Sequence, residues 1–297
     1  MQEKGRIIKG IAGFYYVQTE HGVIYECKAK GSFRNEGQKP LVGDHVCFAI
    51  VDKENKKGNI EVIEKRKNEL IRPAVANIDQ ALVIFASVHP EPNFHLLDTF
   101  LARMELLGIP SMICFNKSDL DEEQRIYAEI EEIYRATGYP ILYTSAKNHQ
   151  GVEELKELLK HKCTTVAGPS GVGKSSLINL LQSNVRMETS DISQKTARGR
   201  HTTRHSELIA LDEDSFIMDT PGFTSLRMDE YEKEDISGGF REIYKYEQEV
   251  NCRFAGCSHI HEPDCGVKEA LAQGKISRQR YDSYVMMYGE CKEKRRY

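Results

Sequence analysis

The chain of 297 residues contains no apolar run long enough to cross a bilayer. Its first twelve residues also lack the apolar core of a signal peptide, because Lys4, Arg6 and Lys9 interrupt them. Nor is there a large charge of one sign, since 41 basic and 45 acidic side chains leave a formal net charge of −4. These absences argue against a helical membrane protein and a uniformly basic nucleic-acid binder. They lead to the expectation of a soluble, cytoplasmic protein with room for two or three domains.

The distribution of charge says more than its sum. Residues 1–68 carry 13 basic against 9 acidic side chains, and residues 275–297 carry 7 against 3, so each end is +4 while the middle is acidic. Basic ends on an acidic middle point to ends that face a polyanion. The plainer reading is ordinary solvated charge. Of the eight cysteines, Cys252, Cys257 and Cys265 are bunched, which in a cytoplasmic chain indicates metal rather than disulfides.

The stretch Gly168, Pro169, Ser170, Gly171, Val172, Gly173, Lys174, Ser175 fits G-x-x-x-x-G-K-[ST]. A short apolar strand, Thr164–Ala167, precedes it, and an apolar-faced helix from Ser176 to Leu181 follows, which is the context that this phosphate-cradling loop needs. Its glycines let backbone N–H groups close around phosphate oxygens. Lys174 is expected to reach the outer phosphates and Ser175 to ligate Mg²⁺. An ordinary glycine-rich turn is the plainer alternative.

Residues 1–68 read as five short β-prone runs: Gly5–Lys9, Phe14–Gln18, Val23–Ala29, His45–Ile50 and Asn59–Lys65. That number and spacing fit an OB-type barrel. Phe14, Tyr15, Tyr16, Lys28, Lys30, Phe33 and Arg34 are candidates for stacking on bases and touching phosphates, and for any one aromatic, a place in the barrel core is the alternative. Asn68–Asn77 reads as a linker. Asp79–Ser87 and Ser111–Phe115 are buried strands of a parallel sheet, and Phe94–Leu107 between them has helical spacing of Leu97, Phe100, Leu101, Met104 and Leu107.

The second strand delivers Asn116, Lys117, Ser118 and Asp119 to its carboxyl end, where ligands sit in open α/β sheets. N-K-S-D predicts guanine recognition. A carboxylate at Asp119 accepts from guanine N1–H and the 2-amino group, a pair that adenine lacks, and the mismatch costs a few kcal/mol. One strand–helix unit later, Ser145, Ala146 and Lys147 form a second base-side loop, S-A-K. After the phosphate loop, Arg186–Arg204 has the position of switch I, with Thr202 or Thr203 as the Mg²⁺ ligand. The hairpin His205–Leu211/Ser215–Met218 ends in Asp219, Thr220, Pro221 and Gly222, where Asp219 would hold Mg²⁺ through water and Gly222 sense the γ-phosphate. One more absence follows. Phe223 stands where many GTPases carry the Gln that orients water. Slow intrinsic hydrolysis raised by a partner is therefore expected, with His201 the first substitute for Gln and His205 the second; contact with phosphate or RNA is the equal alternative for either histidine.

Chain order is a clue in itself. The base-side motifs precede the phosphate loop, so the expected fold class is an α/β P-loop GTPase, circularly permuted. The expected domains are 1–68 (barrel), 69–225 (GTPase) and 226–297, a mostly helical segment with a zinc site. Cys252, Cys257, His259 and Cys265 (C-x4-C-x-H-x5-C) suit one closed tetrahedral Zn²⁺, with His261 ranked below His259.

Barrel, permuted GTPase and C-x4-C-x-H-x5-C together resemble the RsgA family of bacterial small-subunit ribosome-biogenesis GTPases over nearly the whole chain. The supporting strings are N-E-L-I-R-P at 68–73, G-P-S-G-V-G-K-S-S from Gly168 to Ser176, R-G-R-H-T-T-R from Arg198 and D-T-P-G-F from Asp219. The resemblance implies GTP/GDP binding, hydrolysis stimulated by the 30S subunit, contact with 16S rRNA, and a late maturation role that includes release of an assembly factor. Two other classes stay open: an RNA-binding checkpoint whose hydrolysis only resets it, and a stand-alone metabolic enzyme. Nothing points to a self-complementary interface, so a monomer is expected.

Overall fold

The computed structural model describes residues 1–31, 33, 37–71, 74–121, 125–182, 207–219, 228–249, 252–254 and 256–291. The chain packs as two compact units, each gathered from three stretches. The first comprises Met1–Gln80, Val152–Val166 and Ser175–Phe223, and the second Ala81–Gly151, Ala167–Lys174 and Thr224–Tyr297.

The first unit opens with strands β1 (Gln2–Ile11), β2 (Phe14–Thr19), β3 (Ile24–Ala29), β4 (His45–Asp52) and β5 (Lys57–Ile63), closed into a barrel of order β1-β2-β3-β5-β4. Closure is made by the parallel pair β3–β5, with all other pairs antiparallel. Alternation places Ile7, Val17, Cys27, Val46, Phe48 and Ile60 inside. Gly58 is required there: a Cβ would lie 2.8 Å from the Phe48 ring. Phe33, expected as a base-stacking candidate, is instead buried in the core at 6 % exposure, while Phe14, Tyr15 and Tyr16 are half-buried. Lys28 lies over the Phe14 ring.

The expected linker is more ordered than a linker. Strands β6 (Glu69–Ile71) and β7 (Ala74–Ala76) pair as a hairpin. Two asparagines clamp its base. Asn68 exchanges side-chain hydrogen bonds with the Ile78 backbone, and Asn77 accepts from Lys67 N and donates to Gly43 O. Val75 is fully buried and bridges to Val42. Burial of one valine and four amide hydrogen bonds outweigh the turn-like composition.

In the second unit, β8 (Gln80–Ala86), β9 (Ser111–Asn116) and β10 (Ile141–Tyr143) run parallel in the order β10-β9-β8. Every residue of β8 and β9 is buried, as the apolar runs Ala81–Ala86 and Met112–Phe115 within them require. Helix α1 (Phe94–Leu106) is started by the Asn93 side chain, which accepts from Leu96 N at 2.9 Å. Leu97, Phe100, Leu101 and Met104 face inward, but Leu107 lies beyond the helix and is exposed. Helix α2 (Arg125–Tyr134) lies between β9 and β10 in the chain order.

Back in the first unit, α3 (Val152–Leu159), β11 (Cys163–Ala167), α4 (Lys174–Gln182), β12 (Leu208–Ala210) and β13 (Phe216–Asp219) follow. β11 is parallel to β13, and β12 antiparallel to it.

The chain's last segment belongs to the second unit. A 3-10 stretch (Lys233–Gly239) and helices α5 (Arg241–Glu249), α6 (Gly266–Ala272) and α7 (Arg278–Glu290) enclose Met228, Ile236, Phe240, Ile243, Val267, Tyr284 and Met287. Ala102 of α1 joins this core, and Gly239 lets the backbones approach: a Cβ would sit 3.0 Å from that of Ala102. The expected mostly helical segment is present, and the α5 string R-E-I-Y-K-Y-E-Q-E buries only Glu242 and Ile243, so its apolar pattern gives little sign of a helix. Among the described residues no helix is long and apolar enough to cross a membrane.

Candidate nucleotide site and metal centre

β11 runs into the glycine loop, and α4 begins at Lys174. The loop's glycines are fixed by geometry. Gly168 has φ +142°, and a Cβ there would lie 2.0 Å from the Ile84 carbonyl oxygen. Gly173 has φ +91°, and its Cβ would meet Asn116 Nδ2 at 2.3 Å. Both positions exclude any side chain. Lys174 Nζ donates to the carbonyls of Gly168 (2.9 Å) and Pro169 (2.6 Å), folding back over its own loop. Val172 is buried as the loop's anchor, while Ser170, Gly171, Ser175 and Ser176 are exposed.

Asn116, at the end of β9, is 1 % exposed and ties three segments together. Its Nδ2 donates to Val172 O in the glycine loop at 2.8 Å. Its Oδ1 accepts from Thr144 Oγ1 at 3.2 Å and from Ala146 N at 3.1 Å. Asp119 Oδ1 accepts from Ser145 Oγ at 2.6 Å, and that hydroxyl in turn accepts from Asn148 N. Lys117 adopts the left-handed conformation, φ +62°, and its Nζ donates to the His89 carbonyl. Ser118 is buried, with its amide on Thr144 O, and Lys147 is exposed. The structure thus brings N-K-S-D, S-A-K and the glycine loop into one polar cluster within the second unit. Asp219 closes β13, in register with Val166. His201, Thr202, Thr203, His205, Gly222 and Phe223 lie outside the described residues, as do Arg34 and the basic tail from residue 292. Sequence reasoning missed Thr144 and the His89 carbonyl. Thr144 stands directly before S-A-K, a usable signal; a backbone carbonyl leaves none.

A second cluster lies in the last segment. One ligand atom each from Cys252, Cys257, His259 and Cys265 fall within 4.8 Å of one another. His259 Nδ1 faces the Sγ atoms of Cys265 (3.4 Å) and Cys252 (3.7 Å). Tetrahedral zinc bonds of about 2.0–2.3 Å place adjacent N and S ligands about 3.6 Å apart, so spacing and donor chemistry both fit Zn²⁺. His259, not His261, takes this place; His261 is exposed. Two tyrosines of α7 pin the loop's backbone: Tyr281 donates to His259 O and Tyr284 to Ser258 O. Glu262 gathers the loop's donors, accepting from the amide and hydroxyl of Ser258 and from the amides of Ile260 and His261. Burial alone would raise its pKa, but these hydrogen bonds, led by those from Ser258, overcome it and hold the carboxyl at about 2.

A glycine phosphate loop joined through Asn116 to two base-side loops that precede it in the chain defines a circularly permuted P-loop GTPase. It carries a five-stranded barrel ahead and a mainly helical segment with a Cys₃His cluster behind. The chain belongs to the RsgA GTPase family: that family's model matches residues 63–229, and the model of the RsgA N-terminal domain matches residues 4–60. It is therefore a GTPase, working on GTP and GDP with Mg²⁺. The small ribosomal subunit biogenesis GTPase RsgA of Agathobacter rectalis is 55 % identical, with 99 % of each chain covered. The protein of the same name from Alkaliphilus metalliredigens is 47 % identical, again over 99 % of each. Among solved structures, YjeQ from Thermotoga maritima superposes with a TM-score of 0.84 at 36 % identity, covering 98 % of both chains. YloQ, described as a circularly permuted GTPase, gives 0.81 at 36 % identity over 98 % of this chain and 95 % of its own.

Proposed function

We propose that this chain is a GTP-hydrolysing factor of late small-subunit (30S) ribosome maturation, working in the cytoplasm as a monomer. The observation that carries the nucleotide half is the Asn116 cluster, which holds the phosphate loop and both base-side loops in one place. The name shared by the two relatives, small ribosomal subunit biogenesis GTPase, supports the ribosomal half.

In this reading Asp119 pairs with guanine N1–H and the 2-amino group, and the stem of Lys117 lies over the ring. The backbone of Ser145, Ala146 and Lys147 meets guanine O6, while Ser118 fixes the loop. Residues Gly168 to Ser176 wrap the phosphates, with Lys174 leaving its carbonyl partners for phosphate oxygens. Ser175, Thr202 or Thr203, and Asp219 hold Mg²⁺, which supplies charge neutralisation at the β- and γ-phosphates. Gly222 senses the γ-phosphate, and His201 orients water in place of the Gln that Phe223 displaces. Cys252, Cys257, His259 and Cys265 bind one structural Zn²⁺. The division into 1–68, 69–225 and 226–297 separates RNA contact, nucleotide chemistry and the metal-bound appendage. The basic ends face 16S rRNA, with other assembly factors as further partners.

Phe223 also favours a second emphasis, in which GTP binding is the checkpoint and hydrolysis only resets it. The test is GTP turnover by the protein alone, with small subunits and with large subunits. Strong stimulation by small subunits alone is expected. Stimulation by neither subunit removes the ribosome from the reading and leaves the nucleotide site in place.

A further inference from the structure

The metal cluster contains a feature that its four ligands do not explain. An imidazole that ligates a metal through one nitrogen carries a proton on the other, and that proton needs an acceptor. The His259 ring is 1 % exposed, so water does not supply one. Its Nδ1 faces the sulfurs, and its Nε2 points the other way, buried and without a hydrogen-bond partner. Beside it stands Glu247 of α5, with Oε1 3.8 Å from that Nε2. The other oxygen of Glu247, Oε2, is likewise buried and unpartnered. Two orphaned polar atoms on neighbouring side chains are a rare arrangement in a protein interior. The other nearby carboxylate, Glu262, is not free for this task, because both its oxygens are taken by Ser258, Ile260 and His261.

We infer that Glu247 is the positioning residue of the metal centre. It accepts a hydrogen bond from His259 Nε2–H, fixes the tautomer that presents Nδ1, and so completes the Cys₃His set. The inference rests on the zinc reading given above and adds to it a fifth residue, 5 positions before Cys252 and 18 before Cys265, that no ligand spacing reveals. A contraction of less than 1 Å brings 3.8 Å into hydrogen-bond range. The carboxylate raises the basicity of the imidazole, which strengthens its bond to the metal. Glu247 also ties the metal loop to a helix with other duties. On the same α5, Arg241 donates to Glu105 of α1, and Glu242 receives Arg280 of α7. Metal binding at His259 thereby holds the helix that fastens the last segment to α1.

The experiment uses the full chain loaded with Zn²⁺ and two variants, Glu247→Leu and Glu247→Gln. Zinc retention is read by competition with a chromogenic chelator, and the ligating nitrogen by ¹⁵N NMR of the histidine ring. Glu247→Leu is expected to weaken zinc retention about 10–100-fold. Glu247→Gln, whose amide oxygen still accepts, should fall between Leu and the unaltered chain. In the unaltered chain His259 should be ligated through Nδ1 and protonated on Nε2. Unchanged zinc retention in Glu247→Leu, or ligation through Nε2, overturns the role of Glu247 while leaving the zinc site standing. Failure of the unaltered chain to hold zinc overturns both. If Glu247→Leu does not fold, the Gln variant and the tautomer of the unaltered chain decide.

Discussion

Two buried polar hubs organise the second unit, and they are built on opposite principles. Asn116 is neutral and binds three loops with one amide: one donor to Val172 O, and one oxygen shared by Thr144 and Ala146. Arg280 is charged and fully buried. Its guanidinium takes Glu242 with two nitrogens (2.7 and 3.2 Å) and Asp98 with a third (2.7 Å), between the rings of Phe240 and Tyr134. A neutral amide is cheap to bury when its hydrogen bonds are made, and it leaves the loops' outward faces open for a ligand. A buried cation must be matched by carboxylates, and the match joins helices rather than loops. Asp98 lies on α1, Glu242 on α5 and Arg280 on α7. Burial pushes the Asp98 carboxyl upward despite the Arg280 charge beside it, as expected where two carboxylates share one cation. The first hub presents a site; the second fastens a segment.

The largest effect should come from breaking the charged hub. Arg280→Ala leaves two carboxylates buried around a cavity, and should cost about 3–5 kcal/mol in urea unfolding. Replacing Arg280 by Met together with Asp98→Asn and Glu242→Leu should recover much of that loss, because the desolvation penalty vanishes with the charges. If the triple variant is no better than Arg280→Ala, the hub is held by packing against Phe240 and Tyr134 rather than by charge matching.

The neutral hub should separate stability from recognition. Asn116→Ala leaves Val172 O and Ala146 N without partners and should cost about 2–4 kcal/mol, with guanine-nucleotide affinity falling at least tenfold in a fluorescent-GDP titration. Asp119→Asn touches one hydrogen bond, from Ser145, on a half-buried side chain. It should change stability by less than about 1 kcal/mol yet abolish the preference for guanine over other purines. Equal losses of stability in the two variants would erase the distinction between a structural and a recognition carboxamide–carboxylate pair.

The two hubs were not equally legible in the sequence. Asn116, Asp119 and Ser145 stand in short strings at the ends of apolar strands, so the pattern of strand and string locates them without coordinates. Their partners Val172 and Ala146 lie in strings of the same kind. The barrel was equally open to reading, because alternation and turn residues are local. Arg280 sits 182 positions from Asp98 and 38 from Glu242, and the strings of α5 and α7 that carry Glu242 and Arg280 are as polar as a solvated surface. Nothing local marks a charge as buried; only the packed helices do. For the same reason α5 went unseen, and with it Glu247. The hairpin β6–β7 was read as a linker because its stability comes from Asn68 and Asn77 acting across ten residues, not from strand propensity.

The smallest effect belongs to a charge pair of a third kind, in the first unit. Lys9 Nζ contacts both Glu207 oxygens, at 2.9 and 2.8 Å, where β1 forms an isolated antiparallel bridge to residue 207. The geometry is as good as that around Arg280, but the side chains are 20 % and 48 % exposed instead of buried. Water and ions then screen the attraction, and each partner remains solvated when the other is removed. A double-mutant cycle of Lys9→Ala and Glu207→Ala should therefore give a coupling of about 0.2–1 kcal/mol, shrinking as salt rises toward 1 M. The backbone bridge survives both substitutions, so the barrel strand should keep its place. A coupling above about 2 kcal/mol, insensitive to salt, would mean that this pair is desolvated in solution and works as Arg280 does. Distance alone does not decide what an ion pair contributes; burial does, and this pair is the one on which that rule is cheapest to test.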